Sequence, residues 1–143
     1  MAESLYTLSN PVFAAYCFYG ALLCLKTLLM APLTGRLRII KKAFANPEDG
    51  KVKTDDDVER VRRAHLNDLE NILPFLVLGF LYVATNPSPT TALLAFRVFA
   101  LARFIYTLVY AVFVLRQPAR GIAFMTGMVV NVYLAISVIM TCW

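Results

Sequence analysis

Side chains that bind metals are scarce in this chain. It has one histidine, His65, and three cysteines. Cys17 and Cys24 share an apolar segment and Cys142 stands at the far end. That spacing offers neither a metal-ligand cluster nor an even disulfide framework, and buried thiols in apolar surroundings are the expectation. Acid is short as well: nine Asp and Glu stand against 14 Lys and Arg, for a net charge of +5. The excess is not spread as a nucleic-acid surface would be, because most of it falls in residues 36–63. The N-terminal tail lacks the basic leader of a cleaved signal peptide, and the apolar stretch behind it is too long for one. The first segment is therefore expected to insert in a membrane and stay.

Apolar residues are what the chain has in abundance. They make up 59% of its 143 residues, and mean hydropathy is +0.65. A soluble domain is nearer 45–50% apolar, and one this small has too little interior to hide the surplus. Four stretches reach the ~20 residues needed to cross a bilayer, at 11–35, 66–85, 90–115 and 119–142. The expected fold is all-α, a single membrane domain built as a four-helix bundle. Asn10 before Pro11 and Ser88 before Pro89 are helix starts, and Pro118 suits a first turn. Asp56 with Glu59 resembles a capping pair, so the second helix should start in water near Asp57. Pro74 should kink it. Nine Lys and Arg lie in the 36–63 connection, and Arg116 and Arg120 lie between the third and fourth spans. The tail and the 86–89 turn have none. The positive-inside rule puts both basic connections in the cytosol and both termini on the other side, with Trp143 at the interface.

Charges inside spans are functional hypotheses by default, since each costs at least ~2.5–3.5 kcal/mol there. Lys26, Asp68, Glu70, Arg97 and Arg103 are such residues. Helical spacing sorts them into two stripes: Arg63, Asn67, Glu70 and Pro74 on one helix, and Arg103, Tyr106, Thr107 and Tyr110 on another. Arg97 is off the second stripe by more than a hundred degrees and is expected to do something else. Each member also has a plain reading. Arg60, Arg62 and Arg63 can form a solvated basic face, Glu70 can pair with an arginine between helices, and the tyrosines can simply pack.

Taken together, the stripes suit a particular kind of ligand. Arginines grip carboxylates, and a carboxylate beside them suits an ammonium. Arg120, in the first turn of the fourth helix, sits where free N–H groups and the helix dipole favour an anion. A peptide with two carboxylates, one ammonium and one thiol meets all of these demands, and glutathione is such a molecule. An anionic lipid headgroup fits the arginines nearly as well.

Two stretches carry a family resemblance, KAFANPED at 42–49 and VERVRRAHLNDLEN at 58–71. Arg103-x-x-Tyr106-Thr107-x-x-Tyr110 and Gln117-Pro118-x-Arg120 join them. With these the chain resembles the MAPEG proteins, membrane-associated proteins of eicosanoid and glutathione metabolism, from Asn10 into the fourth span. The resemblance implies a homotrimer with glutathione bound between neighbouring subunits. It implies that Arg38, Arg62, Arg63, His65, Asn67, Glu70 and Tyr110 contact glutathione and that Arg120 stabilises its thiolate. Arg103 and Tyr106 join the candidate set through their stripe. The implied activity is conjugation of glutathione to hydrophobic electrophiles at the endoplasmic reticulum or the outer mitochondrial membrane. Reduction of lipid hydroperoxides can accompany it, and no metal is required. The alternatives are a glutathione-dependent prostaglandin isomerase, a non-enzymatic lipid-binding scaffold, and a small channel.

Three departures from the family pattern stand out. Tyr106 occupies a position where relatives often carry histidine. Gly50 stands where thiol-activated members carry a cysteine. Leu66, Gly121 and Phe124 replace the arginine, serine and tyrosine of the isomerase type.

Overall fold

The computed structural model describes residues 5–44, 46, 48 and 53–143. Their backbone is helical, with no strand among them. Four helices are long and apolar enough to cross a membrane.

Helix α1 spans Pro11–Lys41. Asn10 caps it by accepting from Val12 N–H, and Pro11 fills the first position, where a missing N–H costs nothing. Its 31 residues amount to about 46 Å of helix, well beyond the ~30 Å of hydrocarbon. Arg36, Arg38 and Lys41 therefore belong to a helical extension, whereas residues 36–41 were expected in a loop. Lys42 ends the helix in the left-handed conformation, and the Ala43 N–H returns to the Arg38 carbonyl.

Helix α2 spans Asp56–Ala84 and starts close to the expected Asp57, but the cap is Asp55 rather than Asp56. The Asp55 carboxylate accepts from Asp57 and Val58 N–H, and three more acids fill the first turn. The helix continues through Pro74. The basic connection between α1 and α2 thus narrows to residues 42–55. Gly50 and Lys51, with Ala45, Pro47, Asp49 and Val52, lie outside the described residues.

Helix α3 spans Pro89–Thr107, with Ser88 as its cap. It passes into a π-helical turn, Leu108–Val112, and ends there, three residues short of the expected 115. A residue preceding proline is pushed out of the α region, so the chain must leave the helix before Pro118. Val114 takes a positive φ of 48° in the reversal, a costly conformation for a β-branched residue. Helix α4 spans Ala119–Cys142.

The core lies where α2, α3 and the N-terminal half of α1 meet, with α4 alongside. Phe75 and Phe99 stack at 4.1 Å, and Phe96 meets Phe75 edge-on. Gly79 lets the Tyr16 ring approach, since a Cβ there would lie 3.1 Å from it. Leu23, Val83 and Leu134 complete this apolar cluster. A smaller one, Met30, Val61 and Ala64, lies toward the basic end of α1 and α2 and touches Tyr110.

The cysteines depart from expectation. Cys24 and Cys142 are exposed on the helix surfaces and Cys17 is half-buried.

Candidate active site

The charges within the spans settle into two groups. Lys26 of α1, Asp68 of α2 and Arg103 of α3 converge in the interior. Asp68 is fully buried and so is Arg103. One Asp68 oxygen accepts from Arg103 Nη2 at 2.7 Å and Nε at 3.1 Å, and the other pairs with Lys26 Nζ. Thr107 adds a 3.4 Å bond to the same carboxylate. Buried charge is tolerated only when paired, and this trio ties three helices together.

Asp68, not Glu70, is the acid that holds helices together. The two residues are about 200° apart around α2, so Asp68 points into the bundle while Glu70 is exposed. Arg103, expected to contact ligand, is fully buried: its guanidinium is held by Asp68 and by the Asn67 side chain at 2.8 Å, and its Nη1 has no hydrogen-bond partner among the described residues. These side chains form a polar wall between α2 and α3.

In front of that wall is a cavity of about 440 Å³, lined by Asn67, Tyr106, Tyr110, Gln117, Arg120, Gly121 and Phe124. It lies between α2, the end of α3 and the start of α4. A column of cations and rings builds one side. Arg103 lies 4.6 Å from the Tyr106 ring centre, Tyr106 stacks on Tyr110 at 5.3 Å, and Arg120 lies 5.2 Å from Tyr110. Arg63 donates from Nε to the Tyr110 hydroxyl at 3.3 Å. The π turn contains Tyr110; such turns recur at functional sites because the extra residue re-aims side chains.

Arg120 is the cation best placed for chemistry. It stands in the first turn of α4, half-buried, and its Nε is buried without a partner. No carboxylate among the described residues pairs with it. Gln117 caps α4 from outside the helix: its Oε1 accepts from the Gly121 N–H at 3.0 Å. A Cβ on residue 121 would come within 3.0 Å of that oxygen, so the glycine and the glutamine are fitted to each other.

Of the residues expected to form the site, the structure brings Asn67, Tyr106, Tyr110 and Arg120 to one cavity, with Arg63 at its edge. Four others do not reach it within one chain. Arg62 is exposed and pairs with Glu59 at 2.9 Å. His65 is half-buried, and Glu70 is exposed. Arg38 is half-buried in the last turn of α1, with a buried Nε that lacks a partner. Gln117, Gly121 and Phe124 line the cavity without having been chosen as ligand residues. Gln117 stood inside the quoted Gln-Pro-x-Arg motif, and that was the signal that could have found it.

This constellation defines a class. An arginine at a helix start with no carboxylate partner among the described residues, beside stacked tyrosines and inside a chain of four membrane-capable helices, has the charge and geometry that suit an anion. The chain belongs to the MAPEG family, whose pattern matches residues 16–140. It is 43% identical to microsomal glutathione S-transferase 1 of Homo sapiens, over 94% of each chain. The Mus musculus protein of that name is 44% identical over the same shares. Prostaglandin E synthase of Bos taurus is 43% identical, over 82% of this chain and 80% of its own.

Proposed function

We propose that this protein is a membrane-bound glutathione transferase. The observation that carries the reading is Arg120: a half-buried, unneutralised guanidinium at the N-terminus of α4, facing a cavity of ligand size. A free thiol titrates near 8.5 and is mostly protonated at pH 7. A guanidinium and a helix start stabilise the thiolate and so raise the reactive fraction. The thiolate then attacks an electrophilic carbon; with a chloronitroaromatic acceptor, the carbon–sulfur bond forms and chloride leaves. The acceptor arrives from the bilayer and the peptide from water, so the enzyme's contribution is largely to hold them together. With a lipid hydroperoxide the same site gives the alcohol and water, while two glutathiones become the disulfide.

The active form is a homotrimer, with glutathione held between neighbouring subunits. Leu66, Leu69, Leu73, Val77 and Phe80 form an apolar stripe on α2 that stays largely exposed among the described residues, with Tyr6 stacked on Phe80 at its far end. Glu70 lies on that same face. Packing there against a second copy would bring Glu70, with Arg38, Arg62 and His65, toward a neighbour's cavity. The carboxylate then meets the glutathione ammonium and the arginines meet its carboxylates. The endoplasmic reticulum is the proposed membrane, with the outer mitochondrial membrane as a second site. The basic connections face the cytosol and the termini face the lumen.

Overall identity does not separate the transferase from the prostaglandin E synthase type. Gly121 and Phe124 favour the transferase, because both line the cavity and Gly121 is fitted to Gln117. The test is purified protein assayed with glutathione and a chloronitroaromatic acceptor, alongside isomerisation of a prostaglandin endoperoxide. Conjugate formation with little isomerisation supports the reading. Isomerisation alone, or neither reaction, contradicts it.

A further inference from the structure

Apart from Arg120 at the start of α4, three cations lie within the spans, and the buried trio accounts for two of them. The third, Arg97 of α3, stands in a different setting. It is exposed, on a stripe whose other members are the exposed Leu94, Leu101 and Ile105. These follow a spacing of three, four and four residues, one face of the helix. Its Nε donates to the Tyr19 hydroxyl of α1 at 3.1 Å, and the rest of the guanidinium has no partner among the described residues. No carboxylate is at hand: apart from Glu3, every Asp and Glu of the chain lies within residues 48–70.

Position says where the guanidinium can go. Tyr19 and Arg97 each lie eight residues in from the start of their helices, about 12 Å along parallel α1 and α3. Helical side chains lean toward the N-terminus, so both polar tips lean toward the membrane face where α1 and α3 begin. From that depth an arginine snorkels to the boundary between acyl chains and headgroups. Tyr19 accepts from Arg97 through its oxygen and keeps its own proton to donate.

We infer that Arg97 and Tyr19 form a binding site for the phosphate of a phospholipid in the leaflet opposite the basic connections. The guanidinium fork takes two phosphate oxygens and the phenol proton a third contact, while Leu94, Leu101 and Phe18 lie along the acyl chains. This site is separate from the glutathione cavity and holds whether or not the transferase reading does.

The test uses full-length protein, delipidated in an uncharged detergent and titrated with diacyl phosphatidylglycerol or phosphatidylcholine, with retained lipid counted by native mass spectrometry. The wild type should retain one phospholipid of either kind per chain. Arg97→Leu should weaken retention by about tenfold or more, and Tyr19→Phe by a smaller factor. Because Arg97→Leu completes an apolar stripe, the variant should insert and fold; the Tyr19→Phe arm stands independently if it does not. Equal retention by wild type and Arg97→Leu would overturn the assignment. So would displacement of the lipid by inorganic phosphate, or equal Arg97-dependent binding of oleate, which offers a carboxylate instead.

Discussion

Replacing Arg120 with alanine separates chemistry from binding. The guanidinium has no carboxylate partner among the described residues and rests on the Tyr110 ring, so its charge is available to a ligand. At about 4 Å from a sulfur and an effective dielectric near 20, it contributes about 4 kcal/mol, or roughly three pH units of thiol acidity. The helix start alone supplies about 0.3–1 kcal/mol and survives the substitution. Bound glutathione should therefore go from mostly thiolate at pH 7 in the wild type to about 5–14% thiolate in Arg120→Ala, the fraction expected of a thiol titrating near 8.5 when only the helix start helps it. Loss of a donor aimed at an anion costs roughly 100–1,000-fold in comparable sites. The expected fall in turnover is thus at least the ~7- to 20-fold of the lost population, with a smaller change in glutathione affinity. Thiolate absorbance in the ultraviolet and steady-state rates at saturating glutathione read the two effects. An Arg120→Ala protein that forms thiolate and turns over like the wild type would reduce Arg120 to a topology charge.

Four further outcomes are expected. Glu70→Gln should weaken glutathione binding by roughly 10- to 100-fold, the value of a charged hydrogen bond, with turnover at saturation little changed; calorimetric titration checks it. Asp68→Asn leaves Lys26 and Arg103 buried without their counter-ion and should cost about 3–5 kcal/mol, read as a lowered thermal midpoint in detergent. Adding Lys26→Met should recover part of that loss, and no recovery would mean that Lys26 is not a member of the network. Cysteines placed at Lys53 and Ser88 should label from opposite sides of a sealed membrane, and labelling of both from one side would end the four-span topology. N-ethylmaleimide should not activate the enzyme, since Gly50 replaces the responsive cysteine; strong activation would point to the exposed Cys24 or Cys142.

Most of the helical framework was legible because it follows from local rules. Asn10-Pro11 and Ser88-Pro89 start helices where a capping side chain precedes a proline, and both do so here. What local rules missed was set by partners distant in sequence. Helix α1 runs on to Lys41 because its last turns lie beside the equally extended α2, where Lys41 pairs with Asp57 at 2.8 Å. Helical periodicity put Arg103 on the same stripe as Tyr106 and Tyr110. It could not show that Asp68, 35 residues earlier, already holds that guanidinium. Asp68 and Glu70 are two residues apart and chemically alike; only the packing of α3 and α1 against one side of α2 decides which is buried. The π turn after Thr107 has no sequence signature, yet it carries Tyr110.

The central claim is that this chain makes glutathione thiolate at a membrane surface. The most direct measurement adds glutathione to the purified wild-type protein in detergent, or in vesicles, and follows thiolate absorbance across pH 5–9. The account predicts a saturable band, proportional to protein, with a midpoint below pH 7. A midpoint that stays near the ~8.5 of a free thiol, or no protein-dependent band at any glutathione concentration, would contradict it.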